Sequence, residues 1–335
     1  MALFTSLTIG QTEQKINSES QTKINRVVDY IHNNITKKIC LEKMAEISCL
    51  SPFHFHRQFA ATMGETPSSF IRRVRLEMAA HKLMLERYKP ITKIALESGF
   101  SSSQNFSRDF KTQFNTSPSH LRKTFNWYSA IAAIQQIKQG SLKKDSKETA
   151  MLKNLLGNRN LEPAEFLEEG PPDKVEIKTL PPTRVAYIRT VGTAYSPEAV
   201  KPAFVQLAQW AWSKNLITHK TRFKGVGWNN TDLTPANRLM YDVCMEIPEG
   251  VTADQRVSVQ ILPGGEFAVY HSVAPVHKHV NQSEFMRLAY WLLFTDYRPK
   301  NPPYYNIYLN RADLHPQGLA MIDLCVPIKP LDKKP

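Results

Sequence analysis

Cysteine is scarce in this chain and widely spaced. Four cysteines occur among 335 residues, at positions 40, 49, 244 and 325, and no two of them form a C-x-x-C pair. This spacing excludes a zinc ribbon and a disulfide framework. It predicts reduced, buried thiols in an intracellular protein.

Long apolar runs are also missing. No stretch of eighteen or more apolar residues occurs, and the opening MALFTSLTIGQTEQK lacks the basic start and apolar core of a secretory signal. The sequence therefore predicts a cytoplasmic protein with no membrane partner.

Motifs for catalysis and cofactor binding are lacking as well. The chain has no phosphate-binding glycine loop, and its Ser, His and Asp residues stand in no recognisable catalytic arrangement. His277 and His279 in VHKHVN have no third ligand nearby, which favours an exposed loop over a metal site. We therefore predict no enzyme, no cofactor and no metal site.

Basic residues are concentrated near the N-terminus. The formal net charge is +13; residues 1–128 carry 18 Lys and Arg against 10 Asp and Glu, residues 129–172 are balanced, and residues 173–335 carry 19 against 14. Such a bias favours a polyanionic partner for the N-terminal part, although a solvated basic surface has the same composition.

Two segments of the N-terminal third repeat one another. Residues 41–67 align on residues 91–118 with a one-residue insertion. The aligned pairs include Ala45/Ala95, Leu50/Phe100, Phe55/Phe106, Arg57/Arg108, Phe59/Phe110 and Pro67/Pro118. Each copy predicts a short helix, a tight turn and a second helix, with Pro52 in the first turn of one second helix and Ser101 as the cap of the other.

This arrangement is that of a helix-turn-helix unit, whose second helix can enter the major groove of DNA. Phe106, Phe110 and Phe114 recur every four residues and predict a buried seam, while polar residues occupy the rest of the helix. An amphipathic helix, PSSFIRRVRLEMAAHKLMLE, lies between the two units, and INRVVDYIHNNI predicts another helix upstream.

Residues 22–125 resemble the DNA-binding domain of AraC/XylS transcription regulators, most clearly in IALESGFSSSQNFSRDFKTQFNTSPSHLRK. The resemblance implies an all-α domain whose two recognition helices enter successive major-groove segments of double-stranded DNA. The base-reading residues that it implies are Phe53, His56 and Arg57 in the first unit and Ser103, Gln104, Asn105 and Arg108 in the second. Further DNA-binding candidates are Arg72, Lys111 and Arg122.

A second duplication lies downstream. KVEIKTLPPTRVAYIRTVG, from 174, aligns on RVSVQILPGGEFAVYHSVA, from 256, and AFVQLAQWAW and MYDVCMEI align on EFMRLAYWLL and MIDLCVPI. Alternating apolar residues and Leu-Pro turns predict strands, and F-x-x-L-A-x-W predicts a helix laid across them. The order strand, helix, strand, strand thus occurs twice, and a binding groove is expected where the copies meet.

This half resembles the GyrI-like domain, and the fused order resembles AraC-family proteins of the Rob type. The predicted protein is multidomain, with a flexible tail over residues 1–21, an all-α double helix-turn-helix domain over 22–126, and a partly helical linker over 127–172. An α+β GyrI-like domain of two β-α-β-β repeats follows over 173–330.

One position departs from the GyrI-like pattern. That family usually carries a glutamate where this chain has Asn306, in YYNIYLN. An amide neither neutralises a cation nor acts as a general base, so the change weakens both cation recognition and hydrolysis. Glu246 and Glu266 are weaker alternatives for the lost acid. The ligand-binding candidates are Tyr187, Trp228, Tyr241, Tyr305 and Asn306.

These features predict a sequence-specific transcription regulator, an activator, that is modulated through a C-terminal domain binding a small molecule or a protein. The expected partners are RNA polymerase and a small aromatic effector. Two linked recognition units let one chain read an asymmetric site as a monomer. Two alternatives stay open: a GyrI-like hydrolase tethered to DNA, and a DNA-bound protein whose C-terminal half is only an interaction surface.

Overall fold

The computed structural model describes residues 19–86, 88–124, 170–192, 197–218, 221–231, 233–276, 283–310 and 315–331. The predicted tail lies almost wholly outside these residues, as do His277, His279 and nearly all of the predicted linker.

The described residues between 19 and 124 form seven helices. They are α1 Glu19–Asn33, α2 Leu41–Ser48, α3 Pro52–Met63, α4 Pro67–Leu85, α5 Ile91–Glu97, α6 Ser103–Phe114 and α7 Pro118–Thr124. The predicted pairs α2–α3 and α5–α6 are both present.

Short polar side chains start the long helices. Ser51 accepts a hydrogen bond from the backbone N–H of His54, and Thr66 accepts one from Ser69, so each satisfies an amide that the helix leaves free. The cap predicted at Ser101 is wrong by one residue. Ser102 caps α6 instead, because the inserted residue of the second copy lengthens its turn.

Helix α4 joins the two units. Phe70, in its first half, packs with Phe55 and Phe59 of α3, whereas Leu76 and Leu83, further along, pack in the cluster of the second unit. Phe55 and Phe59 of α3 and their counterparts in α6 are fully buried. One continuous helix shared by two cores holds the recognition helices at a defined separation.

The C-terminal domain alternates strands and helices. Its elements are β1 Val175–Leu180, β2 Thr183–Val191, α8 Pro197–Ser213, β3 Phe223–Gly227, β4 Met240–Glu246, β5 Ser258–Leu262, β6 Gly265–Pro275, α9 Ser283–Leu293, β7 Tyr297–Pro299, β8 Tyr304–Tyr308 and β9 Leu319–Pro330. A 3-10 turn, Ala236–Arg238, lies between β3 and β4.

The strands form an antiparallel sheet in the order β1-β6-β9-β8-β3-β4-β2-β5, with β7 paired to β9. The predicted fold class is confirmed, and each β-α-β-β repeat has an additional strand in front. Each Leu-Pro segment ends one strand and leads into the next, so β1 precedes β2 and β5 precedes β6. These leading strands cross over: β1 pairs with β6 and β5 pairs with β2. The repeats meet at the β3–β8 pair, where Gly225 lies opposite Asn306.

The two faces of the sheet have different neighbours. On one face, α8 packs on residues such as Ala186 and Val243, and α9 packs on residues such as Ala268 and Leu324. On the other face, Val185 and Val226 belong to the apolar cluster that contains helices α1 and α3. The sheet therefore packs on its own helices with one face and on the N-terminal helical domain with the other.

The prediction of buried cysteines is correct for two of the four residues. Cys244 and Cys325 are buried as predicted, but Cys40 and Cys49 are exposed because they flank the short helix α2 on the surface of the first unit. Within the described ranges, no helix has both the length and the hydropathy needed to cross a membrane.

Candidate functional site

Helix α3 presents its predicted DNA-reading residues to solvent. Phe53 is 73% exposed, an unusual state for a large apolar side chain, and His56 and Arg57 are exposed beside it. On the buried side, Phe55 and Phe59 fix the helix to the core. The exposed face is therefore available to a partner without any rearrangement of the unit.

Helix α6 repeats this pattern with more polar residues. Gln104, Asn105 and Lys111 are exposed, Ser103 is partly exposed, and the Arg108 side chain is 73% exposed. Arg108 Nε lies 3.4 Å from Asp109 Oδ1, a surface contact of little energetic weight. Side-chain amides and guanidinium groups can each form two hydrogen bonds with the edge of one base, so α6 carries the groups needed to read DNA.

The remaining arginine candidates differ in accessibility. Arg72 is exposed, with Asp109 3.8 Å away. Its neighbour Arg73 is buried between Glu65 and Glu77, and Arg75 donates to backbone oxygens of the α1–α2 loop. Arg122 is half-buried beside α4, and its Nε and Nη2 have no hydrogen-bond partner among the described residues. Of the arginines of α4, Arg72 alone thus remains accessible to DNA.

The C-terminal domain has a polar cluster at the seam between its repeats. Tyr241 Oη lies 2.7 Å from Tyr308 Oη, and Asn306 Nδ2 donates to Tyr241 Oη over 3.4 Å. Gly225 makes this possible, because a Cβ there would lie 1.6 Å from the Tyr241 hydroxyl. Asn306 Oδ1 is buried and has no hydrogen-bond partner among the described residues.

Aromatic rings from both repeats flank this cluster. Phe204 of α8 meets Tyr308 edge to face at 5.1 Å, and Phe285 of α9 meets Tyr304 at 5.9 Å. Phe204 and Phe285 are equivalent residues in the duplicated helix. Because a binding groove is predicted where the two repeats meet, we call this group of neighbouring residues the seam groove: Phe204, Gly225, Tyr241, Phe285, Tyr304, Asn306 and Tyr308.

The five predicted ligand-binding residues do not form one site. Tyr241 and Asn306 line the seam groove, but Tyr187, Trp228 and Tyr305 belong to the cluster on the opposite face of the sheet. Side chains alternate between faces along a strand, so neighbouring aromatics such as Tyr305 and Asn306 point in opposite directions. Tyr187 and Trp228 contact helix α1 instead.

Arg189 and Asp242 occupy the centre of that opposite face. The Arg189 guanidinium donates to both Asp242 carboxylate oxygens at 2.7 Å, and both side chains are 0% exposed. Asp242 also accepts from Trp228 and Gln260. Sequence reasoning missed this pair, although an arginine within the apolar strand TRVAYIRTV was a signal that could have found it.

Helix α1 closes the Arg189–Asp242 pair. Asp29 of α1 accepts from Arg189 Nη2 at 2.9 Å and from Tyr187 Oη at 2.6 Å. Burial raises the pKa of Asp29 to about 6, against the opposing effect of Arg189. His32, whose ring packs at a tilt 4.8 Å from the Trp228 ring, has its pKa lowered to about 3, first by burial and then by Arg189 and Arg73. His32 is therefore neutral in the folded protein at ordinary pH.

Further hydrogen bonds join the two domains. Asn25 of α1 donates to Ser258, Lys329 of β9 donates to Glu86 at the end of α4, and Arg238 donates to the carbonyl of Met63 at the end of α3. The domains therefore meet through charged and polar contacts as well as through an apolar cluster.

The acids proposed as substitutes for the missing glutamate do not reach the seam groove. Glu246 pairs with Lys224 on the opposite face of the sheet, and Glu266 is exposed near the turn that begins β6. No group of three or more His, Cys, Asp or Glu with metal-binding geometry occurs within the described ranges. The seam groove thus offers aromatic surface, hydroxyls and one free amide oxygen.

Comparison with protein families divides the chain in the same way. Residues 44–124 match a helix-turn-helix domain, and residues 173–329 match the GyrI-like small molecule binding domain. The chain therefore carries an AraC-type helix-turn-helix domain and a GyrI-like domain.

The similar curated proteins are regulators. Over 106 residues the chain is 32% identical to the HTH-type transcriptional activator RhaS of Salmonella arizonae, covering 32% of this chain and 38% of RhaS. Over 94 residues it is 33% identical to the probable transcriptional regulator LumQ of Photobacterium leiognathi, covering 28% of this chain and 38% of LumQ. The chain thus spans less than two-fifths of the length of these relatives.

Among solved structures, an AraC-type transcriptional regulator from Chromobacterium violaceum is 30% identical with a TM-score of 0.30, covering 31% of this chain and 93% of that one.

Proposed function

We propose that this chain, which joins an AraC-type helix-turn-helix domain to a GyrI-like domain, is a sequence-specific transcription activator whose C-terminal domain senses a small molecule. The observation that carries the proposal is the pair of amphipathic helices α3 and α6. Each buries phenylalanines on one side and exposes an arginine with neighbouring polar side chains on the other. In this proposal RNA polymerase is the partner through which bound protein raises transcription.

Arg57 and Arg108 are the central base-reading residues in this proposal. They occupy equivalent positions of the duplicated unit, and both are exposed. An arginine that binds guanine O6 and N7 together contributes about 1–3 kcal/mol of discrimination against other bases. One chain would then read two successive major-groove segments.

Paired affinity measurements test this assignment. Arg57→Ala and Arg108→Ala are each expected to weaken binding to the preferred site by about 1–3 kcal/mol, with a much smaller loss on random DNA. Lys214→Ala removes an exposed charge from the far domain and serves as the control. Equal losses on preferred and random DNA would show that the arginines bind only the phosphate backbone.

The effector that the seam groove favours is an uncharged aromatic molecule with a hydrogen-bond donor. Its rings would pack against Phe204 and Phe285, and its donor would satisfy the free oxygen of Asn306. A buried polar atom without a partner costs free energy, so a ligand that supplies one gains affinity. The polar groups that meet at Tyr241, Tyr308 and Asn306 are two hydroxyls and an amide, and none of these neutralises a cation.

Asn306 variants test the ligand class and the role as a sensor. The full chain is screened by thermal shift against neutral, cationic and anionic aromatic compounds, and neutral donors are expected to stabilise it most. Asn306→Glu should move the preference towards cations, because a carboxylate in a partly dry groove attracts them strongly, whereas the longer but uncharged Asn306→Gln should not. Hydrolytic turnover of an ester or epoxide probe by the natural chain would contradict the proposal of a sensor.

A further inference from the structure

We propose that the connection between β3 and β4, of which the structure describes residues 228–231 and 233–239, links the seam groove to the first recognition helix, with Arg238 as the positioning residue at its end. The inference rests on the proposed function, since it assumes that α3 reads DNA. It adds a residue of the C-terminal domain that sets how well the first unit binds.

One end of the connection is tied to the groove. It leaves β3 just after Gly227 and enters β4 at Met240, next to Tyr241. Trp228 N donates to Met240 O at 3.2 Å, and Met240 N donates to Asn229 Oδ1 at 2.7 Å, so the base of the connection is closed. A ligand that displaces Tyr241 would therefore act on β4, the strand at which the connection ends.

The other end holds α3. Arg238 Nη1 donates to the carbonyl of Met63, the last residue of α3, at 2.8 Å. The guanidinium also lies against Gly64, where a Cβ would be 2.6 Å from Nη1. A cation at the C-terminal end of a helix satisfies a free carbonyl and interacts favourably with the helix dipole.

The second recognition helix has no such contact in the part of the chain that the structure describes. Helix α6 ends at Phe114 and is followed by Asn115 in a left-handed conformation, and none of the described hydrogen bonds joins its last turn to the C-terminal domain. Among the described residues, the C-terminal domain thus donates a hydrogen bond to the end of the first recognition helix and not to the end of the second.

Contacts along the connection complete the link. Trp228 packs at a tilt against His32 of α1, and Gly192 N donates to Leu239 O at 2.9 Å. Leu233 packs against the cluster formed by α4, α5 and α6. The exposed face of α3 stays free in this arrangement, so the docked state presents α3 to DNA and Arg238 holds it there.

Binding to a site with both recognition segments, and to sites with either segment scrambled, tests the role of Arg238. In the full chain, Arg238→Ala is expected to weaken binding 3- to 10-fold on DNA that retains the first segment and not at all where it is scrambled. Arg238→Lys, which keeps a donor and a charge, should restore part of the loss. Lys329→Ala removes an interdomain contact to α4 rather than α3 and is the matched control.

Several outcomes separate this inference from the proposed function. Wild-type affinity of Arg238→Ala on every DNA, or equal losses in Arg238→Ala and Lys329→Ala, would overturn the positioning role. A wild-type chain with no preference for any sequence would instead overturn the proposed function.

The groove end is tested by a double-mutant cycle on the same DNA. Gly225→Ala displaces the Tyr241 side chain by adding a methyl group to β3. Tyr241→Leu removes the same ring without adding volume to β3, so it is used if the Gly225→Ala variant does not fold. Either change should alter first-segment affinity in the wild-type background and much less when combined with Arg238→Ala. Additive effects of the groove variant and Arg238→Ala would overturn the link.

Discussion

The two repeats of the C-terminal domain place a hydrogen-bonded basic and acidic residue at the same position and use the pair differently. Arg189 and Asp242 in the first repeat align with His271 and Asp323 in the second. The first pair is 0% exposed and is closed by Asp29 of α1. In the second pair, His271 is 51% exposed and Asp323 is 22% exposed, with 2.8 Å between them.

The difference arises from what covers each half of the sheet. Helix α1 packs over the first repeat, so Arg189 exchanges water for three carboxylate contacts and two aromatic rings. The pair of the second repeat stays exposed to solvent, and such surface pairs contribute little to the free energy of unfolding. One duplicated sequence feature has thus become part of a domain interface in one copy and remained a surface pair in the other.

The largest expected effect is on stability. Arg189→Ala leaves the carboxylates of Asp242 and Asp29 buried without their cation, which should lower the free energy of unfolding by about 3–5 kcal/mol. His271→Ala should change it by about 0–1 kcal/mol. Urea unfolding of the two variants against wild type measures the contrast, and equal losses would contradict the account of the repeats.

A smaller effect is expected from pH, through His32. The pKa of His32 is lowered to about 3 in the folded protein, against an ordinary value of 6.5 in the unfolded chain. As pH falls below 6.5, the unfolded chain binds a proton at His32 and the folded chain does not, so the free energy of unfolding decreases. Asp29, whose pKa is raised to about 6, acts in the opposite direction over a narrower range.

The variant His32→Phe keeps a ring against Trp228 and removes this titration. It is expected to lose less thermal stability than wild type between pH 7 and pH 4, with the two proteins compared at each pH. A larger loss in His32→Phe than in wild type would show that His32 is protonated in the folded state.

The smallest expected effect is on thiol reactivity. Cys244 and Cys325 are equivalent residues of the two repeats, and burial raises the pKa of both thiols, that of Cys325 to about 12. Iodoacetamide should modify Cys40 and Cys49 first in the native chain. Arg189→Ala should increase the labelling rate of Cys244 more than that of Cys325, because the substitution loosens the first repeat. Equal increases for the two cysteines would show that the substitution loosens both repeats.

Much of this architecture could be predicted from the sequence, because duplication makes local patterns visible twice. Phe55 and Phe106 anchor equivalent helices as their spacing indicates. The extra strands of the C-terminal domain were harder to predict, because a Leu-Pro segment within one apolar pattern can continue a strand or end it and start another.

The division of the ligand candidates between two faces could not be predicted from residue type. Trp228 and Tyr241 are both aromatic and near the seam, but strand register places one against α1 and the other in the seam groove. Register depends on which strands pair, and the crossing of β1 and β5 between repeats leaves no local trace. Arg238 was missed for the same reason, since its partner Met63 lies 175 positions away.

Footprinting of the full chain on its preferred DNA tests the central claim most directly. A single chain is predicted to protect two successive major-groove segments on one face of the duplex. Arg57→Ala should lose protection in one segment, and Arg108→Ala should lose it in the other. Protection of one segment only, or of two segments only when two chains are bound, would contradict the account.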